Sequence, residues 1–278
     1  MQYKSITLER KNGMAILTFN RPEALNAVNA GMSEDAMDAI NEISKDNNTR
    51  VAIITGAGKA FCSGADVREE LARIAGVPTE PAGTAEGTFE TIFERIMRGK
   101  PTLVAIPPQL RSMDKPVIGA INGIAAGAGF SVALACDLRI ASERAKFSMA
   151  FILRGLIPDS GGTFFLPKLI GSAKACELVF TGDTIDAVEA ERIGLVNRVV
   201  PQEKLMEAAE ELAMKLIQRP PIALKYAKRA VYKGLTEADL ASHSDYEIAI
   251  NRMLTHTEDF KEGVRAFLEK REAKFRGR

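Results

Sequence analysis

The sequence predicts an α/β fold in which short strands and helices alternate over the first two hundred residues and helices alone follow. Three observations carry this expectation. Short runs of strand-forming residues recur at 51–56 (VAIITG), 116–121 (PVIGAI), 137–142 (DLRIAS), 146–150 (KFSMA) and 194–200 (GLVNRVV). Helical spacing intervenes, as in SEDAMDAINEIS (33–44), where Ala36, Met37, Ile40 and Ile43 fall on one face. Beyond Pro201 the periodic segments, at about 202–218, 220–233, 236–254 and 258–270, have the helical period only. Alternation of strand and helix argues for covered sheets, and the change of texture divides the chain into a core, 1–200, and a helical region, 201–278.

Taken in order, ITLERKNGMAILTFN opens the chain as a hairpin, because Asn12-Gly13 is a favoured two-residue turn between alternating runs. The segment from Val117 to Cys136 is twenty residues without a charge, with Gly119, Gly123 and Gly127 at GxxxG spacing. It also holds Asn122 and Gly129, follows Pro116 and runs into Asp137 and Arg139. The expectation is therefore strand, glycine turn and buried helix instead of a membrane span. GVPTEPAGTAEGT (76–88) reads as a mobile surface loop.

Composition narrows the chemistry. The 278 residues are 46% hydrophobic and 26% charged, with 37 Lys+Arg against 36 Asp+Glu, so no overall field draws the chain to nucleic acid or an anionic membrane. Cys62, Cys136 and Cys176 are odd in number and widely spaced, which suits a reducing cytoplasm and neither a disulfide framework nor a CxxC site. The N-terminal stretch MQYKSITLERKNG lacks the apolar core of a signal peptide. His243 and His256 are the two histidines, too isolated for a zinc centre or a histidine triad. No metal is expected, and acid–base chemistry must lean on carboxylates.

Two glycine-rich turns follow strands, FCSGAD (61–66) and NGIAAGAG (122–129). Small side chains there let backbone N–H groups approach a ligand, and a helix starting near Gly127 would aim free donors outward. Two donors converging on one carbonyl oxygen make an oxyanion hole; simple tight turns are the alternative. Neither GxGxxG nor GxxxxGK[ST] occurs in the required context. In GLIPDSGGT (155–163), Asp159 lies between a proline and a glycine pair. It is read either as a helix N-cap or as a base in a pocket.

NRPEALNAV (20–28), AFCSGADVRE (60–69), KPVIGAINGIAAGAGFSVALACDLRIAS (115–142), GLIPDSGGT, LVFTGDTIDAVEAERIGLVNRVVP (178–201) and EGVRAFLEKREAKF (262–275) together resemble the crotonase (enoyl-CoA hydratase/isomerase) superfamily. The nearest likeness is to the epoxyphenylacetyl-CoA and enoyl-CoA isomerase subgroup, through KFSMAFILRGLIPDSGGTFFLPKLIG. The resemblance implies a ClpP-like spiral of ββα units, a C-terminal helical region for trimerisation and CoA contacts, and a homotrimer or homohexamer. It implies an acyl-CoA thioester substrate, with coenzyme A entering as part of that substrate and no other cofactor.

By the same resemblance, the N–H groups of Ala65 and Ala128 hold the thioester oxygen; the second position is usually glycine, and the methyl of Ala128 is expected to narrow the approach. The family's hydratases use two glutamates flanking a water, since addition needs one group to deprotonate it and another to deliver a proton. Ser131 and Phe151 occupy those positions here. Asp159 matches the proton-carrying aspartate of the isomerases, where one carboxylate suffices for a 1,3-proton shift. Burial beside Phe151, Phe164 and Leu156 would raise its pKa.

Asp66 is expected to structure its turn by bonding backbone N–H groups, and Ser131 to bond either a water or substrate or its own helix. Val67 and Arg68 join the expected CoA contacts, as do Phe267 and Lys270. From Lys261 to Arg278 there are seven Lys/Arg against three Glu, a net +4 that suits phosphates or a solvated face. The expected activity is an isomerisation, with a glutamate-free hydratase and a non-enzymatic CoA-binding oligomer as alternatives, in fatty-acid or phenylacetate metabolism.

Overall fold

A computed structural model describes residues 3–77 and 92–278. The predicted hairpin is present: β1 (Ile6–Lys11) and β2 (Met14–Phe19) pair antiparallel around Asn12 and Gly13, both at positive φ, as a twist-matched two-residue turn requires. The first long helix, α1 (Ala30–Lys45), begins three residues earlier than its apolar spacing suggested, because the Asn29 side chain accepts a hydrogen bond from Met32 N at 3.0 Å and caps it.

Three ββα turns follow, each placing one strand in a large sheet and the next in a small one. They are β3 (Val51–Gly56), β4 (Ala60–Cys62) and α2 (Ala72–Ile74), with α3 (Ile92–Met97) and α4 (Ile106–Ser112) beyond; β5 (Val117–Ile121), β6 (Ile124–Ala126) and α5 (Ala128–Ala135); and β7 (Leu138–Ser142), β8 (Lys146–Ser148) and α6 (Gly162–Ile170). After α7 (Ser172–Thr181) come β9 (Thr184–Asp186), α8 (Ala187–Arg192) and β10 (Arg198–Val200). The large sheet has the order β1-β2-β3-β5-β7-β10 and the small one β4-β6-β8-β9. The strand expected over 194–200 is reduced to its last three residues, since Gly194 turns at φ +76° and the Asn197 side chain accepts from Arg139 N.

Both faces of the large sheet are covered. Ala15, Leu17, Ala52, Ile54, Val117 and Ile121 face a core shared with α1, α4 and α5. Met14, Ile16, Val51, Ile53, Ile118 and Ala120 face the opposite way, where α9 (Leu205–Ile217) covers them with Leu205, Ala208, Ala209 and Ala213. The strict alternation of faces along fully apolar strands is the signature of a sheet buried on both sides. Three further helices, α10 (Pro221–Gly234), α11 (Leu240–Leu254) and α12 (Glu258–Glu269), complete the helical region.

Between Val117 and Cys136 the chain forms strand, turn and buried helix, with the additional short strand β6 inside the turn. Among the described residues no helix is long and apolar enough to cross a membrane. The loop expected at 76–88 lies outside the described residues from 78 onward.

Candidate active site

The site is built where β4 and β6 end. After β4, Gly64 turns at φ +97°; a Cβ there would lie 2.9 Å from Ala126 O and 3.3 Å from Ala128 N, so glycine lets the two turns touch. Val28 N donates to Gly64 O (2.8 Å) and Asp66 N donates to Val28 O (3.1 Å). This bridge uses the groups on one side of the strand, which leaves the N–H of Ala65 directed to the other.

After β6, Gly127 adopts φ +52° and donates to Ser148 O, so Ala128 opens α5 with an N–H that has no carbonyl one turn before it. Gly129 is equally constrained: a Cβ would stand 2.1 Å from Cys62 O, so α5 packs this closely on β4 only with glycine. Ala128 itself is 4% exposed and belongs to the main core. The half-buried Phe151 ring lies 3.8 Å from where a Gly127 Cβ would be, over the turn that precedes Ala128.

Asp159 reaches the same helix through its backbone. Ser131, three residues after Ala128 and on the same face of α5, is fully buried and donates from Oγ to Asp159 O at 3.1 Å; Gly162 N donates to the same oxygen at 2.9 Å. The hydroxyl of Ser131, expected to bond a water or substrate or its own helix, thus bonds the Asp159 turn, whose carbonyl it shares with Gly162 N. The turn continues through Ser160 (φ +54°) and Gly161 (φ +81°), and Gly161, without a side-chain bond, is the N-cap of α6. Asp159 is therefore not the cap: two left-handed residues separate it from the helix.

Its carboxylate accepts instead from Ser160 Oγ at 2.8 Å. The residue is exposed to solvent, yet the protein mass around it raises the carboxyl above its ordinary range by desolvation, against the lowering pull of the Ser160 hydroxyl. Leu156 and Phe164 are surface-exposed at 42% and 52%, and Lys168 Nζ stands 3.4 Å from the Phe164 ring centroid.

Asp66 differs. It is 8% exposed, accepts from Arg68 N at 3.2 Å, and pairs with Arg21 Nη1 at 3.1 Å, which structures its turn as expected. Val67 and Arg68 are exposed at the start of a π-helical turn, Val67–Leu71. Phe267 (84% exposed) stands on α12 and lines an apolar groove of about 640 Å³ with Leu254, Phe260, Val264 and Phe275 among others, whereas Lys270 is the left-handed residue that follows the helix, outside that lining. Two of the tail's cations are ion-paired, Lys261 with Glu258 and Arg271 with Glu262 and Glu269.

Sequence reasoning passed over Arg21 and Ser160, although both lie inside quoted motifs; what it lacked was the fold that brings Arg21 to Asp66. The buried thiols of Cys62 and Cys136 are pushed up to about 12 by desolvation, so neither supplies a thiolate nucleophile.

A family model described as enoyl-CoA hydratase/isomerase matches residues 9–278. The short-chain-enoyl-CoA hydratase of Clostridium acetobutylicum is 37% identical over 273 residues, covering 98% of this chain and 97% of its own length. The 1,2-epoxyphenylacetyl-CoA isomerase of Escherichia coli is 36% identical over 268 residues, covering 96% and 97%. The crystal structure of an enoyl-CoA hydratase from Bacillus anthracis superposes with a TM-score of 0.85 at 36% identity, covering 99% of this chain and all of its own. With its spiral of ββα turns and a match that runs almost end to end, the chain belongs to the enoyl-CoA hydratase/isomerase family and has the crotonase fold.

Proposed function

We propose that this acyl-CoA enzyme is an isomerase that moves a double bond by a 1,3-proton shift, with Asp159 as the proton carrier. The observation that carries the proposal is the pairing of a desolvated carboxylate with the helix that opens at Ala128: Asp159 is raised in pKa and hangs from Ser131 Oγ, one turn along that helix. In the proposed step the Asp159 carboxylate removes a proton from the carbon between the thioester and the double bond. The electron pair moves to the thioester oxygen, held by the Ala65 and Ala128 N–H groups, and the same proton returns two carbons away. Each such donor supplies about 3 kcal/mol of transition-state stabilisation. The positions of Ser131 and Phe151 hold no group able to deliver a second proton at neutral pH, which disfavours addition of water.

Hydratase activity is the second reading, favoured by the name of the Clostridium acetobutylicum relative. Incubation with 2-enoyl- and 3-enoyl-CoA thioesters in deuterated water separates the two by product mass. Double-bond movement without added water, lost in Asp159→Asn, is the expected outcome. Gain of a whole water overturns the isomerase assignment. Under the same proposal α10 and α11, which have no fully buried residue in the single chain, serve subunit contacts in a homotrimer or homohexamer; light scattering of the purified protein measures this.

A further inference from the structure

Arg111, on α4, is far from Asp159 in sequence but touches both helices that carry the site. Its guanidinium carbon lies 3.8 Å from the Tyr232 ring centroid and 4.6 Å from the Phe165 ring centroid. Nη2 donates to Leu134 O, in the last turn of α5, at 3.2 Å. Phe165 is 6% exposed and stands in the first turn of α6, where its N–H donates to Gly161 O. Its ring edge is pressed against Gly161 so tightly that a Cβ on that residue would fall 2.5 Å from Cε2. Among the described residues Arg111 Nε is buried without an acceptor, a cost tolerated where two rings and the Leu134 carbonyl constrain the guanidinium.

Tyr232, behind the guanidinium, is itself fixed. Its hydroxyl donates to Asp137 Oδ1 at 2.5 Å, and Asp137 Oδ2 pairs with Lys228 Nζ at 2.8 Å and accepts from Val117 N at 2.7 Å. The stack from α10 through Arg111 to α6 thus ends on the left-handed pair Ser160-Gly161, which sets the direction of Asp159. At its side, the bond to Leu134 ties the stack to α5, whose Ser131 holds the Asp159 carbonyl.

We propose that Arg111 is a positioning residue for Asp159: packed on the rings of Tyr232 and Phe165 and bonded to α5, it wedges the Phe165 ring against Gly161 and so fixes the Asp159 turn on α5. The inference rests on the proposed role of Asp159 for its effect on turnover, but its effect on the turn is measurable without any reaction. The test uses Arg111→Met, Phe165→Leu and the double variant, each followed by thermal unfolding, by kcat and KM for thioester turnover, and by carbon-13 NMR titration of the Asp159 carboxyl. That resonance is assigned by its absence in Asp159→Asn.

Loosening the wedge hydrates the turn, so the Asp159 carboxyl moves down toward the ordinary carboxylate range in both single variants. The kcat falls about tenfold while KM stays within about twofold, as for misplacement of a reacting group. The double variant is no worse than the poorer single one, because both remove the same wedge. An upward shift of the carboxyl, the mark of a lost cation acting through space, overturns the proposal, as does an unmoved one or multiplicative losses in the double variant. Phe165→Leu carries the test alone if Arg111→Met does not fold. Turnover that survives in Asp159→Asn removes the base assignment and leaves the titration to decide on Arg111.

Discussion

Asp66 and Asp159 both sit in glycine-containing turns packed against the first half of α5, and the fold treats them oppositely. The turn of Asp66 is stitched on every side: Arg21 Nη1 bonds Asp66 and Ala27 O, Asn26 bonds Arg21 N, Ala57 O and Ala60 O, and Val28 bridges the backbone. A charge so paired is held in place. The Asp159 turn is fixed by its backbone, through Ser131 and Gly162, while its carboxylate has one hydroxyl partner and, among the described residues, no cation. The difference teaches how one residue type divides between architecture and chemistry: the carboxylate whose partners are withheld is the one left free to gain and lose a proton.

The largest expected effect follows from exchanging each carboxylate for its amide. In Asp159→Asn, turnover falls by about 10²–10⁴-fold, the usual worth of a positioned proton carrier, with little change in stability. Asp66→Asn removes the charge that pairs with Arg21 in a largely buried site and costs on the order of 3 kcal/mol of folding stability, read as a lowered denaturant midpoint. Equal losses of activity in the two variants, with equal stability, would end the distinction. Next in size, Gly64→Ala forces a methyl against Ala126 O and Ala128 N at φ +97° and costs about 2 kcal/mol while also lowering kcat. A variant as stable as its parent shows that the two turns do not need this contact.

Much of this was legible in the sequence, though unevenly. The hairpin is local turn chemistry at Asn12-Gly13, and the helical region carries a period that survives in short windows, so α9 to α12 fall within a few residues of their expected bounds. The small sheet was not legible beyond β8, because β4, β6 and β9 have three residues each and show no period. At the site, GAD, AGAG and IPDSGG mark which backbones come together. What they do not encode is the register that gives Ser131 Oγ to the Asp159 carbonyl, or the φ of +54° at Ser160 that moves the helix cap to Gly161. Those are tertiary outcomes of α6 packing on α5.

A smaller effect probes the Ser160 hydroxyl that bonds the Asp159 carboxylate. The Ser160 hydroxyl lowers the carboxyl that desolvation raises, so Ser160→Ala leaves desolvation unopposed and moves the acid limb of kcat/KM, which reports the free enzyme, to higher pH. The plateau at higher pH is nearly retained, since the carboxylate is still formed there. A limb that moves to lower pH contradicts the assignment of that limb to Asp159.

The smallest effect is on stability, and its sign follows from linkage. Because the folded-state pKa of Asp159 is raised, the native protein binds more protons than the unfolded chain between the ordinary carboxylate value, about 3.9, and the higher folded value. Stability contributed by this group is present below that window and lost as pH rises through it. Asn cannot titrate and still offers an oxygen to Ser160 Oγ, so Asp159→Asn lacks this slope. Its melting temperature, matched to that of the parent at low pH, should exceed it at neutral pH by on the order of a degree, the group being too open to solvent for more. The same substitution that abolishes turnover would then stabilise the fold, which is the trade expected where a carboxylate is kept desolvated for proton transfer. A variant that falls below its parent as pH rises would place Asp159 with Asp66, as a residue held for the fold.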